Sequence, residues 1–461
     1  MNALLILCFT AIAILFAGLA KKRDLIQWLR IAGVLLAFGM TVWEINHTNR
    51  FNGLFASMLR FDTFALSFTA VALVSTLLLF GLSRWGFREL HDTLGDNYAL
   101  LLFSLCGAVC MFSFSNMVML FLGIEILSIP LYVLAGSRRD DLNSNEAALK
   151  YFLMGAFATG ILLFGVALVY GATASFDLAG IHAVISANGH SPQMLRVGIV
   201  LMLIGLSFKV SAVPFHFWSP DVYSGSPTII TIFMATVVKA AGFAAFYRLF
   251  STAFAGAGEF WTVAVAMMAG LTMTLANTTA IFQNNFKRMM AYSSISHAGY
   301  LLLAILVAGQ TGAGGAVLFY TLTYSIATIC AFACFLLVAE QNQDETFRAF
   351  NGLSKKQPLL AAVMAVSMLS LAGIPPTAGF FGKYFLFAAA FEKYPGLIVL
   401  AVINSAISIY YYFKVIIAMY FSEEENAYEV ALPRGFRWTI AIGLFLIVLL
   451  TLAPGSVYHL I

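Results

Sequence analysis

Charged residues are scarce in this sequence. Lys, Arg, Asp and Glu make up 10% of the 461 residues, whereas 61% are hydrophobic and the mean hydropathy is +0.91. Because a soluble domain carries about a quarter charged residues, this composition excludes an ordinary soluble protein. It predicts a chain that crosses a membrane many times.

Motifs for nucleotides, metals and covalent catalysis are also lacking. The sequence contains no Walker loop, Rossmann glycine pattern, nucleophile elbow or HExxH motif. Connectors of at most about 25 residues between spans leave no room for a soluble catalytic or cluster-binding domain. The 25 basic residues are scattered rather than clustered, which argues against a nucleic acid partner. Any activity therefore lies within the membrane.

Cysteine is rare, and its placement does not suggest a metal site. All five cysteines lie in apolar runs without a nearby histidine: Cys8, Cys106, Cys110, Cys330 and Cys334. Because a zinc site needs a set of about four Cys and His ligands, we interpret them as packing residues and predict no metal.

Fourteen apolar runs are long enough to span a bilayer, which requires about 20 residues per helix. Their approximate bounds are 4–20, 25–43, 64–82, 98–112, 116–135, 147–170, 197–218, 228–250, 261–282, 289–307, 316–338, 359–391, 397–421 and 436–452. The first run has no basic segment before it, so we interpret it as a retained span rather than a signal peptide. The runs lack the alternation of barrel strands. The predicted fold is an all-α integral membrane protein of about fourteen transmembrane helices.

Basic residues are distributed unevenly between the connectors. The odd-numbered connectors and their edges hold Lys21, Lys22, Arg23, Arg84, Arg88, Arg138, Arg139, Lys287, Arg288, Arg348, Lys355, Lys356, Arg434 and Arg437. The even-numbered ones hold only Arg50, Arg60, Arg196, Arg248 and Lys393. Because basic connectors stay in the cytoplasm, we expect the odd connectors inside and both termini on the outer side.

Ionisable side chains inside the spans are few and need an explanation. We assign six to span interiors: Glu125, Lys150, Lys209, Lys239, Lys383 and Lys414. A charge at the bilayer centre costs at least about 2.5 to 3.5 kcal/mol. Glu125 lies near the middle of its span, and it cannot reach water.

The excess of lysine over acid favours proton transfer. Five lysines and one carboxylate cannot all form ion pairs, although a buried ion pair that joins two helices is the simpler explanation for one lysine alone. An apolar interior favours the neutral amine, whereas a nearby carboxylate favours the charged form. We therefore interpret Glu125 and Lys209 as parts of a proton relay. Lys150 and Lys414 fit either explanation, since Lys150 can extend to the interface.

Proline interrupts two of the predicted spans. Pro214 follows Lys209 in the seventh, and Pro375 and Pro376 precede Lys383 in the twelfth. Interruptions at corresponding places in two halves point to inverted repeats. The broken spans are five apart, which predicts inverted five-helix repeats at residues 98–252 and 261–421. Two unrelated proline kinks are the alternative.

Two histidines are further candidates for a proton path. His216 follows Pro214, and His297 lies among serines and Tyr300 in "AYSSISHAGYLLLAI". A polar packing contact explains each of them as well as proton transfer does.

Five long motifs, in order, resemble those of the antiporter-like subunits of respiratory complex I, which are related to Mrp sodium/proton antiporters. They are "FLGIEILSIPLYVLAG", "GLSFKVSAVPFHFWSPDVYSGSP", "AYSSISHAGYLLLAI", "LSLAGIPPTAGFFGKYFLF" and "YYYFKVIIAMYF", over about residues 60 to 425. The resemblance implies that Glu125 pairs with Lys209, that Lys239 continues the proton path, and that Lys383 is its terminal lysine.

The resemblance is greatest to the N-type branch of this family, from NADH:quinone oxidoreductases. Lys383 replaces the glutamate usual in M-type subunits, and we expect no long lateral helix of the L type. The resemblance implies an inner-membrane subunit beside M-type and K-type subunits, with FMN, iron–sulfur clusters, NADH and quinone bound by other chains. The alternatives are an Mrp-type Na⁺/H⁺ antiporter subunit and a structural spacer.

Overall fold

The computed structural model describes residues 1–47, 58–87, 93–188, 192–423 and 432–461. Within them the first ten helices are α1 (Asn2–Leu19), α2 (Arg23–Asn46), α3 (Thr63–Gly86), α4 (Leu94–Ser113), α5 (Met117–Ala135), α6 (Leu142–Thr173), α7 (Leu178–Asn188), α8 (Gln193–Lys209), α9 (Trp218–Gly225) and α10 (Thr228–Phe233). The others are α11 (Lys239–Thr252), α12 (Gly258–Ile281), α13 (Phe286–Leu306), α14 (Ala313–Asn342), α15 (Leu353–Lys356), α16 (Pro358–Ala372), α17 (Ala378–Phe391), α18 (Pro395–Phe421), α19 (Arg434–Leu452) and α20 (Gly455–Tyr458).

The predicted all-helical fold is confirmed. In the described ranges, 12 helices are long and apolar enough to cross a membrane, counting Thr228–Thr252 as one. The predicted seventh and twelfth spans are each divided into two helices, α8 with α9 and α16 with α17. Pro214 lies in the first break, and Pro375 and Pro376 lie in the second. Arg50 and Arg88, which entered the charge comparison, lie outside the described residues.

The helices differ greatly in how deeply they are buried. The segment Thr228–Thr252, which includes α11, is completely enclosed, and α3, α4, α13 and α14 are nearly so. By contrast, α1, α2, α6, α12, α18 and α19 each present an apolar face outward. A polar side chain on α11 or α13 is therefore surrounded by protein rather than by lipid.

Two pairs of loops make matching contacts. The Asn116 side-chain amide before α5 donates to the Asp177 carboxylate at 2.7 Å. The backbones of the same two residues form an isolated antiparallel bridge. Before α13 the Asn285 amide donates to Glu345 at 3.1 Å, beside a bridge between Asn285 and Thr346. The helices α5 and α13 begin the fifth and tenth spans.

The first broken helix ends with its backbone groups satisfied by side chains. The indole of Trp218 donates to the Phe208 carbonyl at 3.1 Å, and the Val213 amide donates to the Thr272 hydroxyl at 2.9 Å. Lys209 is the last residue of α8. Because unpaired backbone groups are costly away from water, these contacts explain how a break is tolerated in the core.

The second break depends on a glycine. Gly373 ends α16 with φ +78°, which a residue with a Cβ rarely adopts. A Cβ at this position would also lie 2.7 Å from Cδ of Lys383. Beyond the break, the Gly379 amide donates to the Ser370 hydroxyl at 3.2 Å. The break thus leaves space for the Lys383 side chain.

A buried ion pair joins the N-terminal helices to the centre of the bundle. The Arg248 guanidinium on α11 donates to both oxygens of Asp62, at 2.5 and 3.0 Å, and lies 4.9 Å from the Phe64 ring centroid. Arg248 is 7% exposed. The sequence placed Arg248 at the edge of an even-numbered connector, and the structure shows it four residues before the end of α11 with its side chain buried.

We predict that Asp62→Ala destabilises the protein by about 3 to 5 kcal/mol, because it leaves the buried Arg248 charge unpaired. The double substitution Asp62→Ala with Arg248→Met should recover part of this loss. Thermal unfolding of the purified membrane protein measures both effects. Arg60→Ala is the matched control, since Arg60 lies 3.6 Å from the same carboxylate but is largely exposed. Equal destabilisation by Arg60→Ala would contradict the prediction.

Candidate functional site

Lys209 lies at the end of α8 and contacts α5. Its side chain is 6% exposed, and its amine donates to the Ser128 hydroxyl, which in turn donates to the Ile124 carbonyl. Glu125, one turn before Ser128, is half-buried near the outer face of α5. In the part of the chain that the structure describes, neither Glu125 nor Lys209 forms an ion pair within 4.0 Å. Ser128 is the direct partner of the amine, and pairing with Glu125 stays a prediction.

Lys239 lies at the centre of the bundle. It directly follows a π-helical turn, Met234–Val238, and is 3% exposed. Its amine donates to the Ser294 carbonyl on α13 at 2.6 Å. A π-helical turn widens the helix and changes the direction of the side chains that follow it, often at functional sites. Here the π-helical turn is followed by Lys239, whose amine reaches α13.

His297 connects three helices through hydroxyl groups. Its Nδ1 lies 2.5 Å from the Tyr320 hydroxyl on α14, and its Nε2 lies 3.0 Å from the Tyr412 hydroxyl on α18. Tyr412 also contacts the Ser293 hydroxyl at 2.5 Å. A neutral imidazole donates a hydrogen bond from one nitrogen and accepts one at the other. The tautomer of His297 therefore determines which of the two tyrosine hydroxyls accepts its hydrogen bond. The structure places His297 in a hydrogen-bonded network, which the sequence had left undecided.

Lys383 lies beside this network. It is 4% exposed, and its amine donates to the Ala372 carbonyl at 2.7 Å and to the Ser405 hydroxyl at 2.8 Å. Lys383 and His297 line one small internal cavity. A mainly apolar cleft of about 680 Å³ between α17 and α18 also reaches Lys383. The Ala372 carbonyl ends α16, and the negative end of that helix favours a cation there.

The other candidates lie elsewhere. Lys414 donates to the Ile281 carbonyl at 2.5 Å, where it caps the end of α12. Lys150 is 40% exposed and pairs with Glu146 at 2.6 Å and Asp221 at 2.7 Å. His216 is buried in the first break, and its Nδ1 has no hydrogen-bond partner in the described residues.

Sequence reasoning missed two buried basic residues. Arg30 is 4% exposed on α2 and donates to the Phe80 carbonyl at 2.7 Å, although it lies inside the second predicted span. Lys287, assigned to a connector, is 2% exposed and donates to two carbonyls at the end of α9. Position within an apolar run would have identified Arg30. No sequence signal separates Lys287 from the exposed Arg288 beside it.

The described ranges contain no group of three or more His, Cys, Asp and Glu side chains that could hold a metal ion. The side chains that the buried cluster does bring together are amines, hydroxyls and an imidazole. These groups can hold protons and pass them on through short contacts.

Comparison with known proteins gives consistent results. Residues 115–408 match the family model for the NADH:quinone oxidoreductase/Mrp antiporter transmembrane region. The NADH-quinone oxidoreductase subunit N of Flavobacterium psychrophilum is 40% identical over 96% of this chain and 98% of that protein. The protein of the same name from Flavobacterium johnsoniae is 40% identical over the full length of both.

A solved structure agrees with the sequence comparisons. A chain of respiratory complex I from Thermus thermophilus superposes with a TM-score of 0.83 at 36% identity, over 99% of this chain and 98% of that one. The chain therefore belongs to the NADH:quinone oxidoreductase/Mrp antiporter transmembrane family.

Proposed function

We propose that this chain is a proton-translocating membrane-arm subunit of an NADH:quinone oxidoreductase. The observation that carries the proposal is the placement of three buried amines, Lys209, Lys239 and Lys383, on separate helices without a carboxylate in direct contact. An amine bonded to carbonyls and hydroxyls can gain or lose a proton without breaking an ion pair. A scaffold would have no use for three such groups.

The proposed route runs laterally through the bundle. A proton reaches Lys209 from the cytoplasmic side, moves by way of Lys239 and ordered water to Lys383, and leaves on the outer side. Glu125 adjusts the proton affinity of Lys209. The His297 network connects these two regions in the proposal, since Ser294, which accepts from Lys239, lies one turn before His297, and His297 lines a small cavity together with Lys383. His216 and Lys414 are further candidates in this proposal. In the described residues, no hydrogen bond joins either of them to the amine of Lys239 or Lys383.

In this proposal, electron transfer takes place on other chains. NADH, FMN, the iron–sulfur clusters and quinone are held elsewhere in the complex, and quinone reduction drives proton movement here. The expected partners are an M-type antiporter-like subunit and a small K-type subunit. The outward apolar faces of α5 and α6 and of α17 and α18 offer surfaces for such partners in the membrane.

We also propose that residues 98–252 and 261–421 are inverted repeats in the inner membrane, with both termini outside. The matching contacts of Asn116 and Asn285 support this division, since each precedes the second helix of its unit. The two asparagines lie in connectors four and nine. In a chain that crosses the membrane at every span, these connectors are on opposite sides.

We predict that Lys209→Ala and Lys383→Ala lower NADH-driven proton pumping by about tenfold or more, because each removes an amine from the path. Acidification of inverted membrane vesicles measures pumping, and quinone reduction and complex content are measured in the same vesicles. Lys393→Ala is the matched control for Lys383, since Lys393 is exposed two residues after the end of the same helix. Normal pumping by both variants in fully assembled complex would reject the relay and favour a structural spacer.

We predict that Tyr412→Phe slows pumping by about tenfold, because it removes the hydroxyl that joins His297 Nε2 to Ser293. Tyr411→Phe tests specificity, since Tyr411 is equally buried but its hydroxyl donates away from His297, to Asn277 at 2.9 Å. The same vesicle assay compares the two variants. Similar losses in both would show that packing, not the His297 contact, is responsible.

A further inference from the structure

An aromatic ring lies beside the amine of the last lysine in the proposed route. The Lys383 nitrogen lies over the Tyr300 ring, 5.0 Å from its centroid. Both side chains are buried. A cation within about 6 Å of an aromatic face is attracted by the negative potential of that face, most strongly where water is excluded. The Tyr300 ring therefore favours the charged form of this amine.

In the described part of the chain, no carboxylate contacts Lys383, which forms no ion pair within 4.0 Å there. The sequences of α13, α16, α17, α18 and α19 contain neither Asp nor Glu. Glu340 lies in the last turn of α14, and Glu392 follows Lys383 by about 13 Å along the axis of α17. Lys209 differs in this respect, because Glu125 lies on the helix that contacts it.

The hydrogen bonds of Lys383 serve both of its protonation states. The amine donates to the Ala372 carbonyl at 2.7 Å and to the Ser405 hydroxyl at 2.8 Å. A neutral amine has two N–H groups, which are enough for these two acceptors, whereas an ammonium has three. The face of the Tyr300 ring attracts only the ammonium. The ring is thus the contact that distinguishes the two states.

Three contacts fix the position of the Tyr300 ring. It meets the rings of Phe387 and His297 in edge-to-face arrangements, with centroids 5.9 and 6.0 Å apart. The Asn277 side-chain amide on α12 donates to the Tyr300 hydroxyl at 3.3 Å. The two ring contacts do not need the hydroxyl. We therefore expect the ring to stay in place in Tyr300→Phe.

Several other titratable groups surround Lys383. They line one of the two cavities that reach it, or contact a residue that does: His297 of α13, Tyr320 and Tyr324 of α14, Tyr412 of α18, and Tyr384 and Glu392 at α17. Helix α16 carries none, and those of α19, Arg434 and Arg437, lie in its first turn. All of them are unchanged in the ring variants below, so a difference between those variants reports the ring.

We propose that Tyr300 is a positioning residue for the last lysine of the relay, and that its ring stabilises the Lys383 ammonium and so sets the pH range over which this lysine holds a proton. The inference rests on the proposed proton-translocating function. The proton forms an N–H bond at the Lys383 nitrogen and later leaves from the same nitrogen. The Tyr300 ring neither gains nor loses a proton.

Tyr300→Leu tests the proposal by removing the ring. Inverted vesicles are prepared and assayed at one pH on both faces, and NADH-driven pumping per assembled complex is compared with wild type at each pH. We expect a ratio near one in acidic buffer and a fall of about tenfold in alkaline buffer, because the ammonium then forms only at lower pH. This loss is a shift of about one pH unit, equivalent to about 1.4 kcal/mol. Tyr300→Phe should follow the wild type.

A ring-fluorinated phenylalanine at position 300 separates electrostatics from packing. Fluorine withdraws electron density from the ring face and changes the shape of the ring little, so assembly should equal that of Tyr300→Phe. We expect the same alkaline loss as in Tyr300→Leu, and this comparison decides the matter if Tyr300→Leu does not assemble. Normal alkaline pumping with the fluorinated ring, or an equal loss in Tyr300→Phe, would overturn the proposal.

Tyr410→Leu is the matched control. The Lys414 amine lies 5.3 Å from the centroid of the Tyr410 ring, but Lys414 caps the end of α12. The variant removes the same kind of contact from a different amine, so its ratio to wild-type pumping should not change with pH. An alkaline loss as large as that of Tyr300→Leu would show that the effect does not arise at Lys383.

Lys383→Ala separates this inference from the function on which it rests. If Lys383→Ala blocks pumping while Tyr300→Leu pumps normally or loses activity equally at every pH, the role of the ring is wrong and the relay stands. If Lys383→Ala pumps normally in assembled complex, the proposed route fails, and the inference fails with it. If Lys383→Ala blocks pumping and Tyr300→Leu shows the alkaline loss, both are supported.

Discussion

A lysine amine in an apolar bundle must be hydrogen-bonded, and the rest of this structure depends on how that requirement is met. Lys209, Lys239 and Lys383 each donate to a hydroxyl or a backbone carbonyl rather than to a carboxylate. A carboxylate at contact distance would hold the ammonium permanently, because the attraction is strong where water is absent. Carbonyls and hydroxyls stabilise the charge less, so both protonation states stay accessible. That balance is the physical basis of the proposed relay.

The second broken helix supplies one of these acceptors. An intact helix uses its carbonyls internally, whereas a helix that ends in the core leaves its last carbonyls free. The Ala372 carbonyl, at the end of α16, binds the Lys383 amine, and Gly373 gives that amine room. Trp218 and Thr272 satisfy the corresponding groups at the first break. The breaks therefore position the amines as well as interrupting the spans.

A single helix, α13, connects these parts. It carries Ser294, whose carbonyl accepts from Lys239, His297, which contacts two tyrosines, and Lys287, which donates to the carbonyls at the end of α9. Because α13 is almost entirely enclosed, its hydroxyls meet protein or isolated water rather than lipid. A change in α13 can therefore affect the surroundings of both Lys239 and His297. This arrangement also explains the unusual density of small polar residues in "AYSSISHAGY".

The sequence by itself determined the membrane class, the spans, the two breaks and the lysines inside them, since hydrophobic length and proline chemistry are local properties. Only the tertiary structure decided which side chains form hydrogen bonds or ion pairs with each other. His297 meets Tyr412, 115 residues away, and Arg248 meets Asp62, 186 residues away. It also assigned Lys414 to a helix cap and placed Ser128, rather than Glu125, against the Lys209 amine. These contacts depend on helix packing and rotation about each axis, which a one-dimensional pattern of apolar residues does not specify.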